Sequence, residues 1–327
     1  MRAAQFRLQV LLASMVAIWC GNFIALKVCL RVMSPVGVTA FRVVAAAALL
    51  FFIQRYSPDR YAFDKLRKSD YWLFLKLAFV GLLLNQVLFI SGLKFTTVAH
   101  SALVVTFGPL FTLLFAWHRG QEKLTSTSLF GMALSICGIF FLNLDKNLNL
   151  QTSYLVGDLL TLGGSVAFAY YTVMSKNVAA QYGAISATAF TYLAGACVFL
   201  PVGLPALVTL QWLQLPWGVL VAFFYVAVLA SVLAPLIFYN ALRYMSASRL
   251  AALTYLQPVV TTISSVLILS EKLTLNFLLG GGVVLTGILL TQRSGGRTTL
   301  LESRGTASAG VAGKSQNSLS EEPLVDR

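Results

Sequence analysis

Long stretches with almost no charge constrain this sequence most. Leu8 to Cys20 and Phe74 to Ile90 each hold at most one charged residue. A bilayer core about 30 Å thick takes roughly 20 apolar residues per helix. Lipid offers the backbone no hydrogen-bond partner, so such a run crosses as a helix or as part of a closed barrel. Barrel strands alternate apolar and polar residues, whereas these runs are apolar on all sides and predict helices. Composition agrees: 58% of the residues are hydrophobic and 11% charged, where soluble domains carry about 25% charged.

The apolar runs predict ten spans, near 8–30, 35–54, 71–92, 96–117, 125–143, 154–175, 184–208, 215–239, 247–269 and 274–292. The net charge of +13 follows from how these spans are oriented. With the N-terminus inside, 17 of the 24 Lys and Arg fall in cytoplasmic segments. Arg31, Lys94, Lys146 and Lys272 fall outside, and Lys27, Arg42 and Lys76 lie within spans. Cytoplasmic loops accumulate Lys and Arg, so both termini are expected in the cytoplasm. No basic patch is interleaved with aromatics in a soluble segment, and no nucleic-acid partner is expected. Arg2 and Arg7 before an apolar run resemble the start of a signal peptide. Trp19-Cys20 makes a poor small-residue cleavage site, however, and the run continues to Leu30, which points to a first span. The tail, 293–327, is rich in Gly, Ser and Thr and is expected to be disordered. Cys20, Cys29, Cys137 and Cys197 form no CxxC pair, and His100 and His118 lack ligands at metal spacing. No disulfide framework, metal or cofactor is expected.

A shift of 149 residues superposes the chain on itself without a gap. Lys27 meets Lys176; Thr39, Ala40 and Phe41 meet Thr188, Ala189 and Phe190; Ala45 and Ala47 meet Ala194 and Ala196. Phe89 and Leu93 meet Phe238 and Leu242, and Pro109 and Thr112 meet Pro258 and Thr261. Glu122-Lys123-Leu124-Thr125 meets Glu271-Lys272-Leu273-Thr274, and Gly131, Gly138 and Ile139 meet Gly280, Gly287 and Ile288. Apolar composition alone does not align a proline, an acid–base run and glycine pairs in one register. Each half holds five spans, an odd number, so the second half enters the membrane from the opposite side. The expected fold class is an all-α membrane protein of ten transmembrane helices in two inverted five-helix repeats, 1–146 and 147–292, followed by the tail. Inverted repeats are the usual architecture of alternating-access transporters.

Specific residues then carry a resemblance. Trp19 and Asn22-Phe23 stand in the first span, and Ser34-Pro35 and Phe41-Arg42 open the second. The fourth holds Ala99 to Ala102, then Pro109, with Glu122 beyond; Gly157-Asp158, Pro258 and Glu271 repeat the pattern. Over residues from about 8 to 292 the sequence resembles the EamA-type branch of the drug/metabolite transporter superfamily. The resemblance implies export or exchange of small metabolites, amino acids and drugs among them, across a plasma membrane such as a bacterial inner membrane. It leaves the solute open. No carboxylate sits in the middle of a span, which weakens any carry-over of ion coupling.

Candidate lining residues are the polar and aromatic side chains inside spans. Arg42 lies about seven residues into its span, roughly 10 Å deep at 1.5 Å per residue. A bare charge there costs several kcal/mol. It fits a counter-ion for a substrate carboxylate or phosphate, and equally a structural Arg that snorkels or pairs with Asp158 or helix-end carbonyls. Its repeat partner is Thr191, so the symmetry asks for no charge. Trp19 and Asn22 share a helix face, as do Asn85, Gln86 and Phe89. Amides facing lipid are costly, so these line a polar cavity or bond neighbouring helices. Tyr170 and Tyr171, Tyr239 and Asn240, and Tyr255 and Gln257 complete a pocket suited to an amphipathic solute. Tyr239 and Asn240 also fit an interfacial aromatic belt. Pro109 and Pro258, matched and mid-span, are expected to bend their helices, as hinges or fixed kinks. Glu122 and Glu271 at span ends fit ion pairs or helix-end hydrogen bonds better than proton carriage. Asp158 is placed in the first turn of its span, where the helix dipole favours a carboxylate. The repeated glycines suit close helix packing.

The competing classes lack their chemistry. There is no Walker-type GxxxxGK[ST] for ATP drive. A membrane-embedded enzyme would need paired carboxylates, HExxH or a Ser/His dyad among the spans, and a sensor would need a soluble output domain. A sugar-phosphate or lipid-linked carrier would want more buried basic residues than Arg42. The expectation is a secondary transporter, not an enzyme. Its partners are a small organic solute, such as an amino acid or a drug, and the lipid bilayer.

Overall fold

A computed structural model describes residues 2–58, 60–96, 98–143, 152–257, 260 and 275–294, and every regular element among them is helical. α1 (Arg2–Cys29) is followed by α2 (Pro35–Tyr56). Ser34 caps α2 by accepting from the Gly37 N–H at 3.2 Å, and Pro35 opens it, where a missing N–H costs nothing. α3 runs from Lys68 to Phe95 with π-helical spacing over Phe79–Leu84. α4 (Val98–Val105) and α5 (Gly108–His118) are separated at Thr106-Phe107. α6 (Ser126–Asn143), α7 (Thr152–Tyr182) and α8 (Ala184–Thr209) follow. α9 runs from Trp217 to Tyr244 with a π stretch over Tyr225–Leu233. α10 (Ala247–Ala252) tightens into a 3-10 turn, Leu253–Tyr255, and α11 is Leu275–Ser294.

Pro109 corrects one expectation. It lies in the first turn of α5, not within a bent helix. The first N–H groups of a helix have no intrahelical partner, so the chain breaks before Gly108-Pro109 and starts a new helix. Pro258, Glu271 and the tail from 295 lie outside the described residues.

Among the described residues, five helices are long and apolar enough to cross a bilayer: Phe6–Cys29, Pro35–Tyr56, Lys68–Phe95, Ala184–Thr209 and Trp217–Leu242. Ser126–Phe141 and Leu279–Thr291 are shorter apolar helices. α7 is the longest, at 31 residues, but Gly157, Thr161, Gly164 and Ser165, which pack it, make it less apolar. Phe52, Phe130, Phe140, Leu155 and Leu289 stand exposed, a surface that suits lipid rather than water.

The repeat is visible in the helix starts. Pro35 and Ala184, Lys68 and Trp217, Val98 and Ala247, and Ser126 and Leu275 each open a helix at the 149-residue offset. Equivalent helices pack on one another antiparallel. A Cβ added at Gly131 would lie 2.7 Å from the Gly287 oxygen, and one at Gly138 would lie 2.9 Å from the Gly280 oxygen. The repeat shift converts either contact into the other, so a local two-fold axis crosses the α6–α11 interface perpendicular to both helices. α2 and α8 meet the same way, Gly37 against Ala206 and Gly203 against Ala40. Small residues let these backbones touch. The matched lysines take matched roles: Lys27 Nζ donates to the Thr96 carbonyl at 2.6 Å, and Lys176 Nζ to the carbonyls of Leu242, at 2.8 Å, and Met245. Each bonds carbonyls at the C-terminal end of its own half's third helical rod, α3 or α9, where orphan carbonyls favour a cation.

Candidate functional site

A cavity of about 140 Å³ lies between the halves. A water needs roughly 10–15 Å³ on this measure, so there is room for about ten waters or a small organic solute. The first half contributes Trp19 and Asn22 from α1, Arg42 from α2, Asn85, Gln86 and Phe89 from α3, and Pro109 and Thr112 from α5. The second half contributes Ser165, Phe168 and Tyr171 from α7, Tyr192 from α8, Phe238 from α9, and Thr254 and Gln257 beside α10. Both π stretches reach the wall, through Gly81, Leu82 and Ala230. Single π turns recur at functional sites because they displace one side of a helix.

Ring packing fixes the apolar walls. Trp19 meets Phe168 edge-on at 5.9 Å and Phe238 at 6.0 Å; Tyr171 stacks on Phe238 at 6.5 Å and 6°. These are favourable offset and edge geometries. Tyr171 also lies across Gly81, where an added Cβ would fall 2.3 Å from its ring. Glycine is therefore required at 81 for this ring position.

The polar groups divide into tied and open ones. Asn85 Nδ2 donates to the Gly164 carbonyl at 2.9 Å, so it joins α3 to α7 as well as lining the cavity. The Asn22 side-chain oxygen is buried with no hydrogen-bond partner among the described residues. Arg42 is 4% exposed. Its Nε donates to Ser231 Oγ at 2.9 Å, and Ser231 donates in turn to the Val226 carbonyl at 2.6 Å. Among the described residues Arg42 meets no carboxylate at ion-pair distance. The alternative of pairing with Asp158 is not realised, because Asp158 accepts from Thr96 Oγ1 at 2.7 Å. Asp158 also stands in the second turn of α7, which begins earlier, at Thr152, than the apolar run suggested.

Eight of the ten candidate lining residues meet here: Trp19, Asn22, Arg42, Asn85, Gln86, Phe89, Tyr171 and Gln257. Tyr239 and Tyr255 do not line the cavity. Tyr239 is fully buried behind the wall, and its hydroxyl meets those of Tyr171 at 2.8 Å, Ser175 at 3.2 Å and Thr191 at 3.4 Å. It holds Tyr171 in place. Tyr255 is buried among Leu113, Met132, Ile139 and Ile288, on the side facing α6 and α11. Tyr170 pairs with Arg119 instead, with the guanidinium 5.2 Å from its ring centre. Sequence reasoning missed Tyr192, Ser165, Phe168, Thr112 and Thr254. Tyr192 had a signal, as a lone phenol among alanines in its span.

Glu122 lies away from the cavity. Its carboxylate accepts from the Ser248 N–H at 3.1 Å and from the Ser248 hydroxyl, satisfying the start of α10. Among the described residues no three His, Cys, Asp or Glu side chains gather as metal ligands.

The model of the EamA-like transporter family matches the chain twice, over residues 7–144 and 155–293. The chain belongs to the EamA-like transporter family. It is a multi-pass membrane protein, and the two matched stretches are the halves that the cavity separates. Relatives bear similar descriptions. An uncharacterized transporter of Archaeoglobus fulgidus is 27% identical over 286 residues, covering 86% of this chain and 96% of its own. The uncharacterized transporters YetK and YvbV of Bacillus subtilis are 25% and 26% identical, covering 74% and 87% of this chain and 72% and 91% of theirs. One solved crystal structure superposes with a TM-score of 0.69 at 17% identity, over 91% of this chain and 98% of that one, which establishes a shared fold. In the EamA-like chain, the cavity therefore sits at the junction of two family domains.

Proposed function

We propose that this EamA-like protein is a secondary transporter that exports a small organic metabolite, an amino acid or a similar solute, across the plasma membrane by alternating access. The cavity carries the reading: it is walled by both repeats, aromatic on its apolar sides, and furnished with Asn22, Asn85, Gln86 and Gln257. Ten spans in two inverted repeats, with both termini cytoplasmic, complete the proposal. The antiparallel packing of equivalent helices supports it, because halves related by an in-plane axis can exchange conformations and open the cavity to either side in turn. Domain limits of 1–146 and 147–292 with a cytoplasmic tail belong to the same reading.

Counterflow tests it. Proteoliposomes loaded with unlabelled solute are expected to take up a labelled amino acid. Gln86→Ala and Trp19→Ala, folded normally, are expected to lose most of that uptake. Unchanged uptake in both variants would remove these residues from the site. No counterflow with any amino acid would exclude that substrate class.

A further inference from the structure

Among the described residues Arg42 is the one charged side chain that lines the cavity, and most of its hydrogen-bonding capacity is unused. A guanidinium carries five N–H donors in a planar fork. Nε is occupied by Ser231, and the other four donors make no hydrogen bond among the described residues. At 4% exposure Arg42 is shut off from bulk solvent, which leaves the cavity and its contents as the partner for those donors. The bond to Ser231, on the π stretch of α9, holds the guanidinium at Nε, and Arg42 stands in the cavity wall. The aromatic walls contribute no negative charge, and among the described residues no acidic side chain lines the space.

We infer that Arg42 is the carboxylate-binding subsite of this cavity and that the transported solute carries a single carboxylate on an apolar body. The inference rests on the transporter reading above and deepens it. A planar fork matches a carboxylate through two parallel hydrogen bonds. One cationic side chain balances one negative charge, which favours a carboxylate over a phosphate monoester dianion. The charge is also asymmetric. Thr191 occupies the repeat-equivalent position and is turned to Tyr239 instead, so the solute is held at its anionic end by one half only.

Four probes of one aromatic body separate the possibilities: 3-phenylpropionate, 3-phenylpropanamide, phenethylamine and phenyl phosphate. Their binding to the purified full-length protein is read as a shift in thermal unfolding midpoint. 3-Phenylpropionate is expected to bind about ten- to a hundredfold more tightly than the amide or the amine, and more tightly than phenyl phosphate. Arg42→Gln is expected to abolish the preference, and Arg42→Lys to retain part of it, keeping the charge without the fork. Equal shifts for acid and amide, no shift with the acid, tighter binding of the phosphate, or a folded Arg42→Gln that keeps the preference would each overturn the subsite. If Arg42→Gln does not fold, the wild-type comparison decides alone. Counterflow separates the two readings. Amine or amide exchange with no preference for the acid removes the carboxylate subsite and leaves transport standing. Selective acid binding with no counterflow of any probe does the reverse.

Discussion

Two interfaces occupy equivalent places in the repeat and are built differently. Where α3 meets α7, Gly92, Gly157, Thr161 and Gly164 bring backbone against backbone: a Cβ at Gly92 would lie 2.6 Å from the Gly157 oxygen, and one at Gly164 would lie 3.0 Å from the Phe89 nitrogen. Where α1 meets α9, the matched residues are Ala241, Leu8, Leu12 and Met15. There side chains fill the gap, Met15 and Ala241 fully buried and Leu8 and Leu12 packed against them. A duplicated fold thus does not require duplicated packing. Backbone contact has no adjustable part, whereas Leu and Met can change rotamer and slide. The first seam is rigid and the second can repack.

The strongest way to break this contrast is Gly92→Leu, expected to cost about 3 kcal/mol by forcing α3 from α7, read as a fall in the unfolding midpoint in detergent. The lysine pair gives the next contrast. Lys176→Met is expected to cost about 2 kcal/mol and Lys27→Met about 1 kcal/mol, because Lys176 bonds two carbonyls and Lys27 one, both values reduced by partial exposure. Equal losses would mean that the second carbonyl contributes nothing. Tyr239→Phe removes the hydroxyl behind Tyr171 at about 1 kcal/mol and is expected to slow counterflow more than it lowers stability. Its partner in the repeat is Ile90, a fully buried residue without a polar group. The smallest effect, below about 1 kcal/mol, is expected for Leu12→Thr, which gives the adaptable seam one residue of the rigid one. A loss as large as that of Gly92→Leu would show the two seams to be equally rigid.

Much of the fold was legible in the sequence because helix boundaries have local chemistry. Ser34-Pro35 marks a helix start by cap and ring, and the repeat register carries that boundary to Ala184. The apolar run continues through the break before Gly108 and hides it; periodicity reads Pro109 as an interior bend, although a Gly-Pro pair also suits a first turn. The cavity was legible where an amide or a charge stood among apolar residues, as with Asn22, Arg42 and Gln86. It was less legible for tyrosines. A helix surrounded by other helices is apolar on every face, so periodicity cannot say whether Tyr255 faces the cavity or α6. Tyr239 lay within hydrogen-bond reach of Tyr171, but only the fold puts those two residues, 68 positions apart, side by side.

The paired π stretches carry a mechanical consequence. Each holds surplus backbone, because π spacing accommodates an extra residue in what would otherwise be an α turn. Were Phe79–Leu84 or Tyr225–Leu233 to relax to α spacing, the rod beyond it would ratchet by about 1.5 Å and swivel by about 100°. In α9 that swivel would carry Ser231 away from Arg42, and in α3 it would carry Gly81 out from under Tyr171. The chain therefore keeps one residue of slack in each half, coiled beside the cavity.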